Sequence, residues 1–203
     1  MQTAPIAAID RHRLATDGEG VTSLVAFPGC ELRCRYCINH DLLQPNVPSR
    51  ILSTSELIDE LKCDNLYFVA TGGGITFGGG EPCLQSLFIE EFCRMRPSAW
   101  NVTIETSLHV DRTHIQRLLP HINQWIVDIK DTNKDIYKAY TGKSNDIVLQ
   151  NLSYLLPEEN MEEKLLVRLP LIADYNTAND IKKSRTILRK MGVKRFDEFK
   201  YIV

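Results

Sequence analysis

Three cysteines crowd into eight residues, Cys30-Glu-Leu-Arg-Cys34-Arg-Tyr-Cys37, and this C-x3-C-x2-C spacing constrains the chain more than any other stretch. Thiols so close in sequence converge on one centre only if the segment loops back on itself. A closed structural zinc site takes four protein ligands, as does an ordinary electron-transfer iron–sulfur cluster. Three cysteines on a four-iron cubane leave one iron open to a small molecule. His40 follows Cys37 closely, so a Cys3His zinc site is the competing reading.

The remaining cysteines, Cys63, Cys83 and Cys93, are scattered singly. Metal binding explains that distribution better than a disulfide framework, and the scattered thiols are expected to pack. The 24 basic and 26 acidic residues leave a net charge of −2 and no long basic tract, so nucleic acid is not expected as a partner. No apolar run approaches the ~18 residues a membrane span needs, and no basic-then-apolar leader is present. The chain is read as cytoplasmic, with residues 1–203 forming a single domain.

Short apolar runs alternate with helical patterns. Residues 1–20 read as loop, and Thr22–Phe27 as a buried strand that Pro28-Gly29 breaks just before the cysteines. Ser53 or Thr54 caps a helix to about Lys62. Strands follow at Ile75–Phe77, Val102–Glu105, Trp125–Ile129, Leu165–Leu169 and Phe196–Val203, and Pro170 is expected to close the fifth of these six. Between them lie helices at about 85–96, from Asp111 to Leu119, near 133–140 and 146–156, and from Thr177 to a Gly192 C-cap. About six strands alternating with helices indicate α/β architecture with a parallel sheet of βα units. Reactive groups in such folds collect at the C-terminal edge of the strands, where four motifs fall here.

The first is the cysteine loop. The second is Gly78-Gly79-Gly80-Glu81-Pro82, where glycines let backbone approach a ligand and Glu-Pro stiffens the exit. A bare tight turn, with Glu81 as a structural hydrogen-bond partner, is the alternative. The third is Glu105-Thr106-Ser107. The fourth is Asp128-Ile129-Lys130, whose two charges point the same way and must pair with each other or with a ligand. Arg168 invites the same question and is read as facing an anion. The upstream Thr71–Gly74 run is either a turn or a second ligand contact.

In order and spacing these motifs resemble the radical S-adenosylmethionine (SAM) superfamily, in particular the activating enzymes of glycyl radical enzymes, of the pyruvate formate-lyase activating type. Tyr36 fills that superfamily's aromatic position before the third cysteine, and Thr16–Val21, Val167–Pro170 and Asn176 resemble further stretches of the activating enzymes. The resemblance implies a partial (β/α)6 TIM-like barrel ending at about the sixth strand. It implies a [4Fe-4S] cluster on Cys30, Cys34 and Cys37, and a SAM site built from Tyr36, Cys37, Ile38, Gly78, Gly79, Gly80, Glu81, Glu105, Asp128, Ile129, Lys130 and Arg168. The implied reaction is reductive cleavage of SAM to a 5′-deoxyadenosyl radical, which takes hydrogen from a glycine of a partner glycyl radical enzyme. A flavodoxin- or ferredoxin-type protein would supply the electron.

Three departures stand out. The family's Asp-Thr-Asn/Ser-Gly turn reads Glu105-Thr106-Ser107-Leu108, losing its glycine. The family's Tyr-His pair reads Tyr201-Ile202. Relatives also continue beyond the position of Val203, with a tail that helps cover the site. Two other functions stay open: a radical SAM enzyme acting on a small molecule or peptide, and a non-catalytic iron–sulfur or zinc module.

Overall fold

The structure, a computed structural model, describes residues 1–14, 16–44 and 46–201, so the expectation at Ile202 and the end of the last expected strand lie outside the described residues. In chain order the elements are β1 (Thr3–Ile6), β2 (Ala8–Leu14), β3 (Val21–Phe27), β4 (Arg50–Ser53), α1 (Thr54–Leu61), α2 (Asn65–Thr71), β5 (Gly74–Gly79), α3 (Ser86–Met95) and β6 (Asn101–Thr106). They continue with α4 (Arg112–Leu118), β7 (Gln124–Asp128), α5 (Lys134–Thr141), α6 (Asp146–Leu155), α7 (Met161–Lys164), β8 (Leu165–Leu171), α8 (Ala178–Met191) and β9 (Arg195–Lys200).

Seven strands make one sheet in the order β2-β3-β5-β6-β7-β8-β9. All its neighbouring pairs are parallel except β2 with β3. The six parallel strands follow sequence order with helices in the crossovers, the arrangement the alternating pattern led us to expect. Val25, Phe27, Phe77, Ile104 and Trp125 point to the helices and join Leu57, Phe88, Phe92 and Ile115 in one core. Each such fully buried large side chain contributes about 2–3 kcal/mol. The alternate positions of the same strands carry Thr76, Thr103, Glu105, Asp128 and Arg168, so the opposite face is polar toward its C-terminal end.

Three expectations need correction. Residues 1–20 are not all loop, since they hold β1 and β2. β2 (Ala-Ile-Asp-Arg-His-Arg-Leu) is a polar edge strand without a buried residue, and a bulge at Arg11–His12 interrupts it, so it carries no apolar period. β1 instead pairs with the distant β4, which local sequence cannot announce. The strand with Pro170 runs on to Leu171, because the ladder with β7 ends at Asp128↔Arg168 and leaves Pro170 no partner to donate to on that side. Cys63 does not pack: it sits exposed on a 3-10 turn after α1, whereas Cys83 and Cys93 are buried. The capping expectations hold, with Ser53 and Thr177 both forming capping boxes and Gly192 closing α8 in the left-handed region.

Candidate functional site

The parallel register brings the strand ends level. Phe27 of β3 lies opposite Gly79 of β5, and Asp128 of β7 lies opposite Arg168 of β8. A cavity of about 390 Å³ opens at this edge. Cys30, Cys34, Cys37, Ile38, Gly79, Gly80, Glu81, Glu105, Asp128, Lys130 and Arg168, all anticipated from sequence, line it.

The cysteine loop is held from two sides. At its root, Gly80 N–H donates to Phe27 O (2.8 Å), Glu81 N–H to Gly29 O (2.7 Å) and Gly29 N–H to Leu42 O (2.9 Å). On its flank, α5 ends at Gly142 in the left-handed region, leaving terminal carbonyls that the helix itself cannot satisfy. Two of them, Thr141 O and Tyr140 O, accept from Arg33 N–H (3.0 Å) and Arg35 N–H (3.1 Å).

The glycine turn owes its composition to this packing. A Cβ on Gly80 would fall 2.0 Å from Gly29 O, and Gly79 has φ +89°. The close approach that the sequence reserved for a ligand is therefore made, at Gly80, by the chain's own cysteine loop. Glu81 is 1% exposed, and its carboxylate accepts from Thr106 Oγ1 (2.6 Å), Ser107 Oγ (2.6 Å), Ser107 N–H (3.0 Å) and Cys83 N–H (3.2 Å). It ties the turn to the end of β6. In the same segment Leu108, which replaces the expected glycine, is buried with φ +57°, so the left-handed turn persists without glycine.

Opposite the cysteines lies a charge network. Asp128 accepts from Lys130 Nζ (3.0 Å) and Arg168 Nε (2.7 Å), and Arg168 also reaches Glu105 Oε1 (3.0 Å). Burial works against the charge on Asp128, but Lys130 and Arg168 overcome it and hold its carboxyl at about 2. Burial pushes Glu105 up to about 7, against the pull of Arg168 and helped by the negative charges of Asp17 and Asp128. Lys130 is 6% exposed, and its ammonium also lies 3.5 Å from Tyr201 Oη.

Three anticipated residues do not line the cavity. Tyr36 turns away, its hydroxyl donating to Asp174 (3.2 Å) and its ring edge-on to Tyr140 and Tyr175. Ile129 alternates with Asp128 and Lys130 and is therefore buried in the core. Gly78 sits just behind, where a Cβ would lie 3.5 Å from Glu105 Oε2. Conversely, Asn39, Phe199 and Lys200 line the cavity although no motif marked them; Asn39 Nδ2 donates to Gly79 O at 2.8 Å. The Thr71–Gly74 run lies at the other end of β5, away from this cavity.

The donor set fits a metal cluster. Burial, reinforced by Glu81, pushes the Cys30 thiol up to about 12, and burial pushes Cys34 up to about 11. Such sulfurs become thiolates only beside a compensating positive charge. The buried hydroxyls of Tyr137 and Tyr140 have no hydrogen-bond partner among the described residues. His40 does not line the cavity; its ring is exposed and pairs with Asp41 at 3.0 Å. No group of three or more His, Cys, Asp or Glu, the three loop cysteines included, is placed around a single metal ion among the described residues.

Comparison with known proteins converges on one family. The model of the radical SAM superfamily matches residues 24–167, a span that contains the cysteine loop, the glycine turn and Asp128–Lys130. The pyruvate formate-lyase-activating enzyme of Staphylococcus aureus (strain USA300) is 30% identical over 194 residues, covering 91% of this chain and 76% of that protein. Among solved structures, Streptococcus suis SuiB superposes with a TM-score of 0.65 at 14% identity, over 89% of this chain and 39% of its own. The Escherichia coli coproporphyrinogen III oxidase gives 0.56 at 14% identity, over 91% of this chain and 45% of its own. These two likenesses bear on the fold alone, and this chain spans less than half of either protein. The family match and the extent of the 30% identity show that the chain belongs to the radical SAM superfamily and is an enzyme of the activating-enzyme type.

Proposed function

We propose that this protein reductively cleaves SAM to a 5′-deoxyadenosyl radical and uses it to take a hydrogen atom from a glycine of a partner glycyl radical enzyme. The observation that carries this reading is the convergence of all three loop cysteines, the glycine turn and the Asp128–Lys130–Arg168 network on one cavity. Membership of the family implies a [4Fe-4S] cluster and SAM; bound by Cys30, Cys34 and Cys37, the cluster would supply the electron that breaks the S–C5′ bond.

The chain's own residues bind and orient. Gly79 and Gly80, which line the cavity beside Asn39, would meet the amino group of SAM through their backbone. Lys130 faces its carboxylate from within the network, at less cost than an isolated buried ammonium because Asp128 already compensates it. Glu105, Asp128 and Arg168 fix the polar floor, and Ile38 borders the mouth. Tyr36 and Ile129 act by position, the first bracing the cysteine loop against Tyr140 and Tyr175, the second seating Asp128 and Lys130. Glu81 and Gly78 position the turn. We take residues 1–203 as one core domain working in the cytoplasm with a flavodoxin- or ferredoxin-type donor.

The test is anaerobic reconstitution with iron and sulfide, chemical reduction and addition of SAM. We expect 5′-deoxyadenosine and methionine, with both lost in Cys34→Ala; wild-type protein that carries iron yet yields no 5′-deoxyadenosine defeats the proposal. Co-incubation with glycyl radical enzymes is expected to yield the EPR doublet of a glycyl radical. Cleavage without that doublet on any such enzyme shifts the substrate to a small molecule or peptide.

A further inference from the structure

The cysteine loop has two faces. Its three thiols line the cavity, but the residues on either side of Cys34 look the other way: Arg33 and Arg35 line a shallow groove together with Asp135, Lys138, Ala139 and Gly142 of α5 and its cap. All four charged side chains belong to exposed residues, and among the described residues none makes an ion pair. Neighbouring charges are occupied elsewhere, Glu31 with His109 at 3.2 Å and Lys134 with Asp146 at 2.5 Å. Three cations against one carboxylate thus collect on a chain whose net charge is −2. Exposed charges of this kind add little to stability, so folding alone does not call for them. Arg33 is further anchored, its guanidinium donating to the carbonyls of Cys30 and Leu32, which keeps its charge on the loop itself.

We propose that this groove docks an acidic one-electron carrier protein, which delivers its electron across the Arg33–Cys34–Arg35 segment to the metal centre. The inference rests on the reading of the cavity as a SAM-cleaving centre. One electron leaves the carrier and one arrives at the centre; no atom or proton is transferred. Only one thickness of loop separates groove from cavity: Cys34 lines the cavity, and its two neighbours in sequence, Arg33 and Arg35, line the groove. The cavity is bordered instead by exposed apolar side chains, Ile38 (81%) and Phe199 (37%), with Lys200 beside them, a less cationic surface than the groove. Donor and substrate therefore need not compete. The groove's charge would act mainly on the rate of encounter and would be screened by salt.

The experiment compares reconstituted wild type with R35E/K138E and D135N, using a reduced acidic flavodoxin as probe. Binding measured at low and high salt is expected to weaken about tenfold or more in R35E/K138E, with a flattened salt dependence, and to tighten about two- to threefold in D135N. Dithionite-driven SAM cleavage is expected to stay unchanged in both variants while flavodoxin-driven cleavage falls in the first. K138E, which lies on α5 outside the loop, should show the same loss to a lesser degree and serves if the double variant does not take up iron. Flavodoxin affinity unchanged by the charge reversals overturns the proposal. Loss of dithionite-driven cleavage in wild type would instead overturn the reading of the cavity, while the binding measurement would still stand.

Discussion

Strand β5 begins and ends in glycine runs that look alike on paper. At its start, Cβ atoms on Gly73 and Gly74 would fall 1.9 Å from Val21 O and 2.0 Å from Asn101 O, and Gly72 closes α2 in the left-handed region. At its end, a Cβ on Gly80 would fall 2.0 Å from Gly29 O. Both runs are therefore demanded by the chain's own backbone, and glycine alone does not make a site. What differs is what the backbone is pressed against. The first run seats a strand between its neighbours; the second seats the cysteine loop beside Glu81 and the charges on β6, β7 and β8.

The largest test of that difference substitutes alanine at each end. Gly73→Ala and Gly80→Ala are each expected to cost about 3 kcal/mol or more, because backbone and not a flexible side chain must move. Iron content per folded molecule, measured after reconstitution, is expected to drop only in Gly80→Ala. Equal iron loss in both would mean that the two runs serve the same purpose.

Next comes Glu81→Gln, which keeps the size but turns an amide N–H2 toward the donors from Ser107 or Thr106. A loss of about 2–3 kcal/mol in urea unfolding is expected, since a buried donor is left unpaired. A neutral result would reduce Glu81 to a spacer.

Glu105 predicts a pH dependence at the functional end. Its carboxyl, raised to about 7 from an ordinary 4.5, binds its proton more tightly folded than unfolded. Its contribution is thus fully present below about pH 4.5 and lost as pH rises through about 7. Relative to Glu105→Gln, wild type is expected to lose on the order of 2 kcal/mol of stability between about pH 5 and pH 8. Parallel pH profiles would show that Arg168 already keeps Glu105 ionised.

The smallest effect concerns Leu108, where left-handed backbone carries a side chain. Leu108→Gly relaxes about 1 kcal/mol of strain but gives up about 2–3 kcal/mol of burial, for a net loss of about 1–2 kcal/mol in thermal or urea unfolding. A stabilised variant would mean that the strain exceeds the packing.

Much of this was legible without coordinates because it rests on short-range rules. The three thiols were close enough in sequence to share a centre, strand–helix alternation implied the parallel sheet, and placing each motif after a strand put them on one edge. β2 escaped because edge strands lack an apolar period, and β1 because its partner is remote. The aim of Tyr36 was missed since it is set by Tyr140 and Tyr175, far along the chain. Asn39 was missed because no motif marks it and its partner, Gly79 O, belongs to β5.

Thiol spacing, apolar period and the cost of buried charge are local quantities, so the crowded cysteine loop, about six strands alternating with helices, and the need of Asp128 and Lys130 for a partner could be read from the chain alone. Which backbone fills the space beside Gly80, the engagement of Glu81 by Thr106 and Ser107, and the sharing of Asp128 between Lys130 and Arg168 emerge only once the chain is folded. Those outcomes depend on register between strands some tens of residues apart, which hydrogen-bond ladders fix and composition does not.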